Sequence, residues 1–308
     1  MLSSLGDGCS FRLALPVAAI PALVTDKVDD TSDFLALART HYENFPVGSW
    51  LVPREHRPHI WRIYAFARVA DDLADERQDA AALAAFRAAF IEHLSGEPVR
   101  PVPLLADLVS TIETRRLPPR LFFDLLDAFA LDLEVSRHDE ASLLAYCRKS
   151  ADPVGRLVLR VFGHDEPRLD AWSDRLCTGL QLLNHLQDIG EDLRIRDRVY
   201  FPREDLVRFG VDEDRLRAPT ADAAVRALVG HWHARVTGMF RDGWPLLGAV
   251  HGRLRLELRA ICWGAVLCLR KIAAQRHDVL AARARLKGLA KASLPLRALL
   301  GGTPRELR

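Results

Sequence analysis

The sequence predicts an all-α protein built as one helical domain, and three features of its 308 residues carry that prediction. Apolar residues recur at helical spacing along most of the chain, for example from Leu121 to Leu133. Proline and glycine stand where those patterns begin and end, which is where helices tolerate them. No stretch has convincing strand character, since the short apolar run 199–201 stops at Pro202.

The predicted helices follow in chain order. Asp79 is an N-cap for an alanine-rich helix that ends at Ser95-Gly96, because its side chain accepts a bond from a free backbone N–H. Pro118-Pro119 opens the next helix. Pro167 is a first-turn residue for a long helix that runs to about Leu193 and measures roughly 40 Å. Further helical patterns cover 32–44, 54–77, 140–162, 220–249 and 252–277.

The chain shows no sign of a second domain. It contains no internal repeat, no glycine-rich phosphate loop and no long linker, and the proline-rich stretch 97–103 has the length of an ordinary helix connection. We expect a helical domain over residues 31–280, a disordered N-terminal extension over 1–30 and a basic C-terminal tail over 281–308.

Composition and charge exclude several classes of protein. With 49% hydrophobic and 27% charged residues the chain is typical of a globular protein, and its net charge of +2 does not indicate a nucleic-acid partner. The charge is uneven, because residues 251–308 hold 13 Lys and Arg against 3 Asp and Glu. This basic end is either a solvated helix surface or, over Arg276–Arg297, a surface for anionic lipid head groups of the inner membrane.

The cysteines and the hydropathy pattern predict a cytoplasmic location. Five scattered cysteines without a CxxC pair are typical of buried thiols in a reducing compartment. No apolar run approaches the roughly 18 residues that a membrane-spanning helix needs. The stretch Leu13–Val24 follows Arg12 in the manner of a signal peptide, but Pro16 and Pro21 interrupt it, so export is the less favoured alternative.

A first acidic segment, Asp71–Glu76, lies late in a predicted helix. Asp71 and Asp75 are four residues apart, so both carboxylates project from one face of that helix. Arg68 lies one turn before them and Tyr64 one turn earlier.

A second acidic segment, Asn184–Asp192, lies late in the long helix. Asn184, Asp188 and Asp192 share a face at steps of four, and Gln187 and Glu191 lie along its edge. One such segment would be an ordinary solvated helix end. Two of them, each in an otherwise apolar helix, indicate a site.

These carboxylates require a cation for two reasons. Like charges at a spacing of four destabilise a helix, and anions near a helix C-terminus oppose its dipole. Magnesium fits this donor set, since it takes one or two carboxylates and completes its shell with water and phosphate oxygens. Two facing rows would hold a diphosphate through bridging ions, and nearby arginines would bind phosphate oxygens directly. The candidate arginines are Arg68, Arg148, Arg194 and Arg198.

Other metal sites do not fit the sequence. A di-iron bundle needs two Glu-x-x-His motifs, and the chain has none. His231 and His233 are two residues apart and so point to different faces of a helix, which does not favour zinc.

At these segments the chain resembles the squalene/phytoene synthase family, from about His41 to His277. The strongest parts are Ile63–Arg68 leading into Asp71–Glu76, and Asn184–Asp192 followed by Arg198–Pro202. The resemblance implies an all-α class I isoprenoid synthase fold around a central cavity, in which both segments bind diphosphate through Mg²⁺, with Mn²⁺ as a substitute. The implied metal ligands are Asp71, Asp75, Asp188 and Asp192. The implied catalytic residues are these four with Asp72, Tyr64 and Gln187. The candidate substrate-binding residues are Asn44, Arg68, Arg148, Asn184, Glu191, Arg198 and Tyr200.

Three departures from the condensing members resemble hydroxysqualene synthase of the bacterial hopanoid pathway. Glu43–Val47 stands where a Ser-x-Ser-Phe segment is usual, Gln187 replaces a common arginine, and Tyr146–Gly155 lacks the usual small residues. That enzyme expels pyrophosphate from presqualene diphosphate and captures water, so no NADPH is expected. Asn44, Gln187 and Tyr200 are candidates for orienting the water or fitting the substrate.

Three alternatives remain open. A sibling enzyme would condense two prenyl diphosphates to presqualene diphosphate, squalene or a phytoene-like product. A non-catalytic isoprenoid-binding protein would have lost its acidic segments, and both are intact here. A terpene cyclase usually mixes Asn, Ser and Glu in its second motif, unlike the Asp-x-x-Glu-Asp of residues 188–192. The sequence indicates no partner enzyme.

Overall fold

A computed structural model describes residues 52–308, and over that range the predicted all-α fold is confirmed. The predicted extension 1–30, the predicted helix 32–44 and the candidate Asn44 lie outside the described residues. Within the described part, the one β-type contact is an isolated parallel bridge between Arg137 and Val199. The helices are α1 (Arg57–Asp71), α2 (Ala80–Ser95), α3 (Pro103–Arg115), α4 (Pro119–Glu134), α5 (Glu140–Ser150), α6 (Asp152–Val161), α7 (Pro167–Arg196), α8 (Arg203–Phe209), α9 (Glu213–Arg217), α10 (Ala223–Gly243), α11 (Leu246–Ala249), α12 (Gly252–Ala274), α13 (Leu289–Ala292) and α14 (Leu294–Leu300), with a final 3₁₀ turn over Arg305–Leu307.

The long helix α7 is the centre of the bundle. It begins with Pro167 in its first turn, as predicted, and ends three residues later than predicted, at Arg196. Asp197 caps it in the left-handed conformation. Helices α5, α6, α10 and α12 all pack against it, so its C-terminal acidic segment lies among buried apolar neighbours.

Two predicted helices are interrupted at prolines. The segment 140–162 is two helices that meet at Ala151, because Pro153 has no N–H to donate and would clash within a continuous helix. The segment 220–249 breaks in the same way before Pro245. Helix α3 was not among the predicted helices, since Pro103, its first residue, belongs to a proline-rich loop.

The predicted helix 54–77 is continuous only to Asp71. Residues Asp72–Glu76 form a π-helical turn, closed by a bond from the Arg77 N–H to the Asp72 carbonyl oxygen at 3.1 Å. Such turns are rare and are frequent at functional sites. The turn packs against α2 and α4, which fixes the carboxylates of the first acidic segment on a buried support.

Four phenylalanines anchor the helix that carries the first acidic segment. The ring of Phe66 lies 5.2 Å from that of Phe86, 4.9 Å from that of Phe90 and 5.4 Å from that of Phe122. Phe66, Phe90 and Phe122 are fully buried. Because aromatic pairs at these distances add to the free energy of burial, α1 is held against α2 and α4 next to the site.

Gly155 allows α6 to approach α7 closely, and this predicts a loss of stability on substitution. A Cβ at this position would lie 2.5 Å from the Cys177 sulfur and would collide with the Ser173 hydroxyl, both on α7. We expect Gly155→Ala to lower the free energy of unfolding by about 1–3 kcal/mol, as overpacked cores do. Gly238→Ala is the matched control, because a Cβ there meets no atom within 4 Å.

Chemical denaturation of both variants measures the difference. The control should be neutral or more stable by about 0.5–1 kcal/mol, since alanine favours a helix over glycine. Equal stability of the two variants would show that the helix contact relaxes at no cost.

The C-terminal residues return to the bundle. Asp278 accepts hydrogen bonds from the backbone N–H groups of Ala221 and Ala281, at 3.0 Å each, and so fixes the start of residues 278–288, which we call the strap. Beyond the strap, α14 packs against α12. No helix within residues 52–308 is both long and apolar enough to cross a bilayer.

Candidate active site

The two acidic segments meet through two arginines at the C-terminal end of α7, one in its last turn and one just after it. Arg196 donates to the Asp192 carboxylate at 3.0 Å, and its Nε lies 3.9 Å from the Asp75 carboxylate. Arg198 donates to Asp75 at 2.9 Å. The structure therefore brings Asp75 of the first segment and Asp192 of the second to the same arginine, Arg196.

The loop after α7 is fixed by the chain before α5. The Val199 N–H donates to the Ser136 carbonyl oxygen at 2.9 Å, and the Arg137 guanidinium binds Asp197 and Glu213. Arg198 also donates to the Asp132 carbonyl oxygen at 2.9 Å. These bonds hold the Arg198 and Tyr200 side chains in place below the acidic segments.

Arg68 supplies the positive charge of the first segment. It lies 3.1 Å from Asp71, 2.5 Å from Asp72 and 2.9 Å from Glu76. The sequence required a cation near these like charges, and in this structure an arginine one turn earlier on α1 provides it. Tyr64 is half-buried one turn further back, where burial raises the pKa of its hydroxyl.

The strap supplies the positive charge of the second segment. Arg283 forms a forked pair with Asp188, with one N–O distance of 2.6 Å, and lies 3.9 Å from Glu191. The Gln187 amide donates to the Ala284 carbonyl oxygen beside it. Sequence reasoning treated the strap as part of a basic tail and missed Arg283. The only available signal was a cation in that tail.

Burial makes several of these carboxyl groups hard to ionise. Burial and the Asp75 charge raise the pKa of Asp71 to about 6, although Arg68 opposes this. Burial raises the pKa of Asp72 to about 7, again against Arg68, and it also raises that of Asp192. The arginines therefore compensate the carboxylates only in part, and a further cation would be favoured there.

The donor set fits magnesium better than a closed metal site. Among residues 52–308 no group of three or more His, Cys, Asp or Glu side chains converges on one point. Magnesium does not need one, since one or two carboxylates suffice when water and phosphate oxygens complete its shell. Asp71 and Asp75 on one side and Asp188 and Asp192 on the other are the residues that would hold it.

A pocket lies next to the second segment. Its walls are mostly apolar, but His185, Asp192 and Tyr200 face it as well. The His185 ring stacks on the Tyr200 ring with their centroids 3.6 Å apart. The His138 ring also stacks on the Tyr200 ring, with their centroids 5.7 Å apart. Burial lowers the pKa of His185 to about 3, so its imidazole is neutral at physiological pH. The full lining is Leu143, Leu182, His185, Ile189, Asp192, Arg198, Tyr200, Phe201 and Trp232.

Sequence reasoning also missed a buried acid behind this pocket. The Tyr146 hydroxyl donates to the Asp132 carboxyl at 2.9 Å, and the second oxygen of that carboxyl is buried without a hydrogen-bond partner. Burial raises the pKa of Asp132 to about 7, although Arg198 and the Tyr146 hydroxyl oppose it. No spacing in the sequence pairs these two residues, which lie on α4 and α5.

Asp132 predicts how stability depends on pH. Its carboxyl binds a proton more tightly in the folded protein than in the unfolded chain, where its pKa is near 4. The protonated carboxyl therefore adds to the free energy of unfolding, and this contribution is complete below about pH 4. It is lost as the pH rises to about 7, at up to about 1.4 kcal/mol per pH unit. Asp132→Asn should flatten the pH dependence of Tm between pH 5 and 7.5. Thermal melts with EDTA measure this, and an unchanged slope would show that Asp132 does not titrate there.

The other sequence candidates lie at different depths. Asn184 and Glu191 are half-buried on α7 near the second segment. Arg194 is exposed, and its guanidinium lies beside Gly190. Arg148 is exposed at the end of α5, where the ionisable groups that it influences are Cys147 and Asp152.

Known proteins are similar to this chain over most of its length. The squalene/phytoene synthase family model matches residues 38–290. Hydroxysqualene synthase of Rhodopseudomonas palustris is 36% identical over 257 residues, covering 82% of this chain and 87% of that protein. Phytoene synthase of Thermus thermophilus is 33% identical over 274 residues, covering 88% and 93%. The crystal structure of squalene synthase HpnC from Alicyclobacillus acidocaldarius is 39% identical, with a TM-score of 0.73 over 80% of this chain and 94% of that one.

These matches confirm the resemblance that the acidic segments suggested. The family match includes both segments, the loop with Arg198 and Tyr200, and the whole strap. The chain is an isoprenoid synthase, similar to hydroxysqualene synthases in particular. It belongs to the squalene/phytoene synthase family.

Proposed function

We propose that this enzyme converts presqualene diphosphate to hydroxysqualene, with loss of diphosphate and capture of water. The observation that carries the proposal is the position of the mostly apolar pocket, which shares Asp192 and Arg198 with the acidic site. Similarity to a hydroxysqualene synthase over 82% of the chain supports this choice of reaction.

The acidic segments and their arginines form the diphosphate site. Magnesium, when bound, would stabilise the negative charge that develops on the leaving group, and Mn²⁺ is expected to substitute for it. The carboxylates of Asp71, Asp75, Asp188 and Asp192 would hold the metal. Arg68, Arg198 and Arg283, now paired with those carboxylates, would then have phosphate oxygens as partners.

The pocket walls suit the reacting carbons beside the diphosphate, since the cavity is too small for a whole C30 skeleton. The C–O bond to diphosphate breaks and the leaving group keeps the electron pair, so a cyclopropylcarbinyl cation remains. That cation rearranges and a cyclopropane C–C bond breaks, which leaves the positive charge on an open carbon chain. Apolar side chains such as Leu143, Ile189 and Trp232 exclude bulk water from it. Exclusion matters because a cation that is open to solvent would be quenched at the wrong carbon.

Tyr200 and His185 would orient the single water that reacts. The Tyr200 hydroxyl can donate to that water, and the neutral His185 imidazole can accept from it, since its pKa of about 3 keeps it unprotonated. The water oxygen bonds to the cationic carbon. The water then loses a proton to the diphosphate, which is a stronger base than the His185 imidazole. Gln187 acts differently in this scheme, because its amide holds the strap at Ala284.

Tyr200→Phe tests this assignment. The ring and its stack on His185 remain, but the hydroxyl that orients the water is lost. We expect the hydroxysqualene share of the product to fall about tenfold, the worth of one hydrogen bond, with hydrocarbon elimination products in its place. Gln187→Ala should lower the overall rate without changing that share. An unchanged product ratio for Tyr200→Phe would remove the hydroxyl from the mechanism.

The products that the enzyme forms from two alternative substrates test the proposed function. Purified enzyme with Mg²⁺ and without NADPH is given either presqualene diphosphate or farnesyl diphosphate, and the products are identified by mass spectrometry. Hydroxysqualene from presqualene diphosphate supports the proposal. Presqualene diphosphate, or a C30–C40 hydrocarbon, from the shorter substrate would make the enzyme a condensing synthase.

The condensing reaction is the second candidate because of one finding. The phytoene synthase relative is 33% identical over 88% of this chain, close to the value for the hydroxysqualene synthase. Gln187 does not favour the condensing reaction, because an arginine is common at this position in condensing enzymes, which must hold two diphosphates.

We propose a cytoplasmic location for either activity. Free thiols at the four cysteines in residues 52–308 support it.

A further inference from the structure

An apolar surface lies at the C-terminal end of the described chain. Eight large hydrophobic side chains are exposed within residues 52–308, and four of them fall between residues 289 and 300. Leu289 is 89% exposed, Leu296 60%, Leu299 59% and Leu300 77%. Single exposed leucines are ordinary, but four within twelve residues form a patch that requires a function.

The patch is part of the folded protein. Leu296, Leu299 and Leu300 share one face of α14, at a spacing of three and four residues. On the other face, Ala298 is buried and the Arg297 guanidinium lies 5.2 Å from the centre of the Trp263 ring. The bundle therefore fixes α14 with its leucines directed outward.

The charge around the patch identifies its partner. No Asp or Glu occurs between Asp278 and Glu306, whereas Lys287 and Lys291 are exposed on either side of Leu289. Leucines flanked by cations are complementary to an anionic bilayer, in which the apolar groups enter the acyl boundary and the lysines reach the head groups. A second copy of the chain would place these cations against one another, which is unfavourable.

We propose that residues 287–300, the docking surface, bind peripherally to anionic lipid bilayers. The docking surface begins four residues after Arg283, which contacts Asp188 of the second acidic segment. Docking would therefore hold the strap side of the active site against the bilayer. Vesicle binding by the docking surface does not depend on the proposed function. Only its consequence, the delivery of a long isoprenoid from the bilayer to the active site, rests on that function.

Sedimentation of the full chain with vesicles tests the proposal. We expect binding to phosphatidylcholine vesicles that contain phosphatidylglycerol, and weaker binding to pure phosphatidylcholine or at high salt. The triple variant Leu296→Gln, Leu299→Gln, Leu300→Gln should lose about tenfold or more in vesicle affinity. Val99→Gln with Val207→Gln is the matched control, since both valines are 82% exposed elsewhere and should leave binding unchanged.

A charge variant and an activity assay complete the test. Lys287→Gln with Lys291→Gln should lose about 25-fold in affinity for anionic vesicles, at about fivefold per charge. Every variant should keep its Tm and its rate on detergent-dispersed substrate, so a failed function and a failed docking surface give different results. Wild-type affinity in the leucine variant would overturn the proposal. A dimer that the leucine variant abolishes, with no vesicle binding by the wild type, would also overturn it.

Discussion

Replacing Asp188 by asparagine is expected to lower kcat on the isoprenoid diphosphate by about 10³-fold, with the fold retained. Asp188 lies on the rigid C-terminal part of α7 and presents both oxygens to the site, where Arg283 binds them. Losing the charge removes one anchor for the metal, and a stabilising group of that kind contributes about 3–4 kcal/mol to catalysis. The Mg²⁺ concentration for half-maximal rate should rise in parallel.

Asp174→Asn is the matched control for this prediction. Asp174 lies on the same helix and forms the same forked pair with an arginine, Arg156, at 2.6 and 2.9 Å. The variant loses an equivalent ion pair without touching the acidic segments, so kcat should stay within about twofold. Single-turnover rates and thermal melts of both variants separate catalysis from stability. Equal kcat losses would mean that Asp188 acts only through the stability of α7.

The sequence was sufficient to predict the acidic segments because they conflict with their local structure. Like charges four residues apart, close to helix C-termini, are unfavourable unless a ligand needs them, and such conflicts mark functional sites. The helix that carries the second segment was also predictable, because Pro167 and the apolar period agree over 30 residues. Agreement between the local sequence signals predicted the helix. Conflict between the acidic residues and their helical positions predicted the candidate site.

What the sequence could not predict depends on contacts between distant residues. Arg283 reaches Asp188 across 95 residues, and Arg198 reaches Asp75 across 123. Nothing local distinguishes these arginines from the solvated majority. The choice of Arg194 over Arg196 as a candidate shows this, since Arg196 contacts Asp192 whereas the Arg194 guanidinium lies beside Gly190.

The π-helical turn over Asp72–Glu76 was hidden for a different reason. The residues Leu73 and Ala74 are good helix formers, and the pattern around them continues a regular helix. Their burial against α2 and α4 accompanies the wider turn, so the choice between α and π geometry is made by packing. The turn also positions Asp75, since that carboxylate accepts a hydrogen bond from Arg198 from within it.

Arg198→Met is expected to cost about 3 kcal/mol of stability, the largest single loss that we predict at the site. Arg198 is 8% exposed and joins Asp75 to the Asp132 carbonyl oxygen, at 2.9 Å each. Methionine fills similar space but leaves both acceptors without their donor, and removing one partner of a buried pair typically costs about 3–5 kcal/mol. Asp75 keeps 23% exposure, so the lower end of that range applies.

Arg196→Met is the comparison that isolates burial. Arg196 also approaches Asp75, but it is 46% exposed and its loss should cost less than about 1 kcal/mol. Adding Asp75→Asn to Arg198→Met should restore part of the stability, since the uncompensated charge disappears with its partner. Denaturant unfolding without metal measures all four proteins. A double variant no more stable than Arg198→Met would mean that the Asp132 carbonyl, and not the acidic segment, is what Arg198 holds in place.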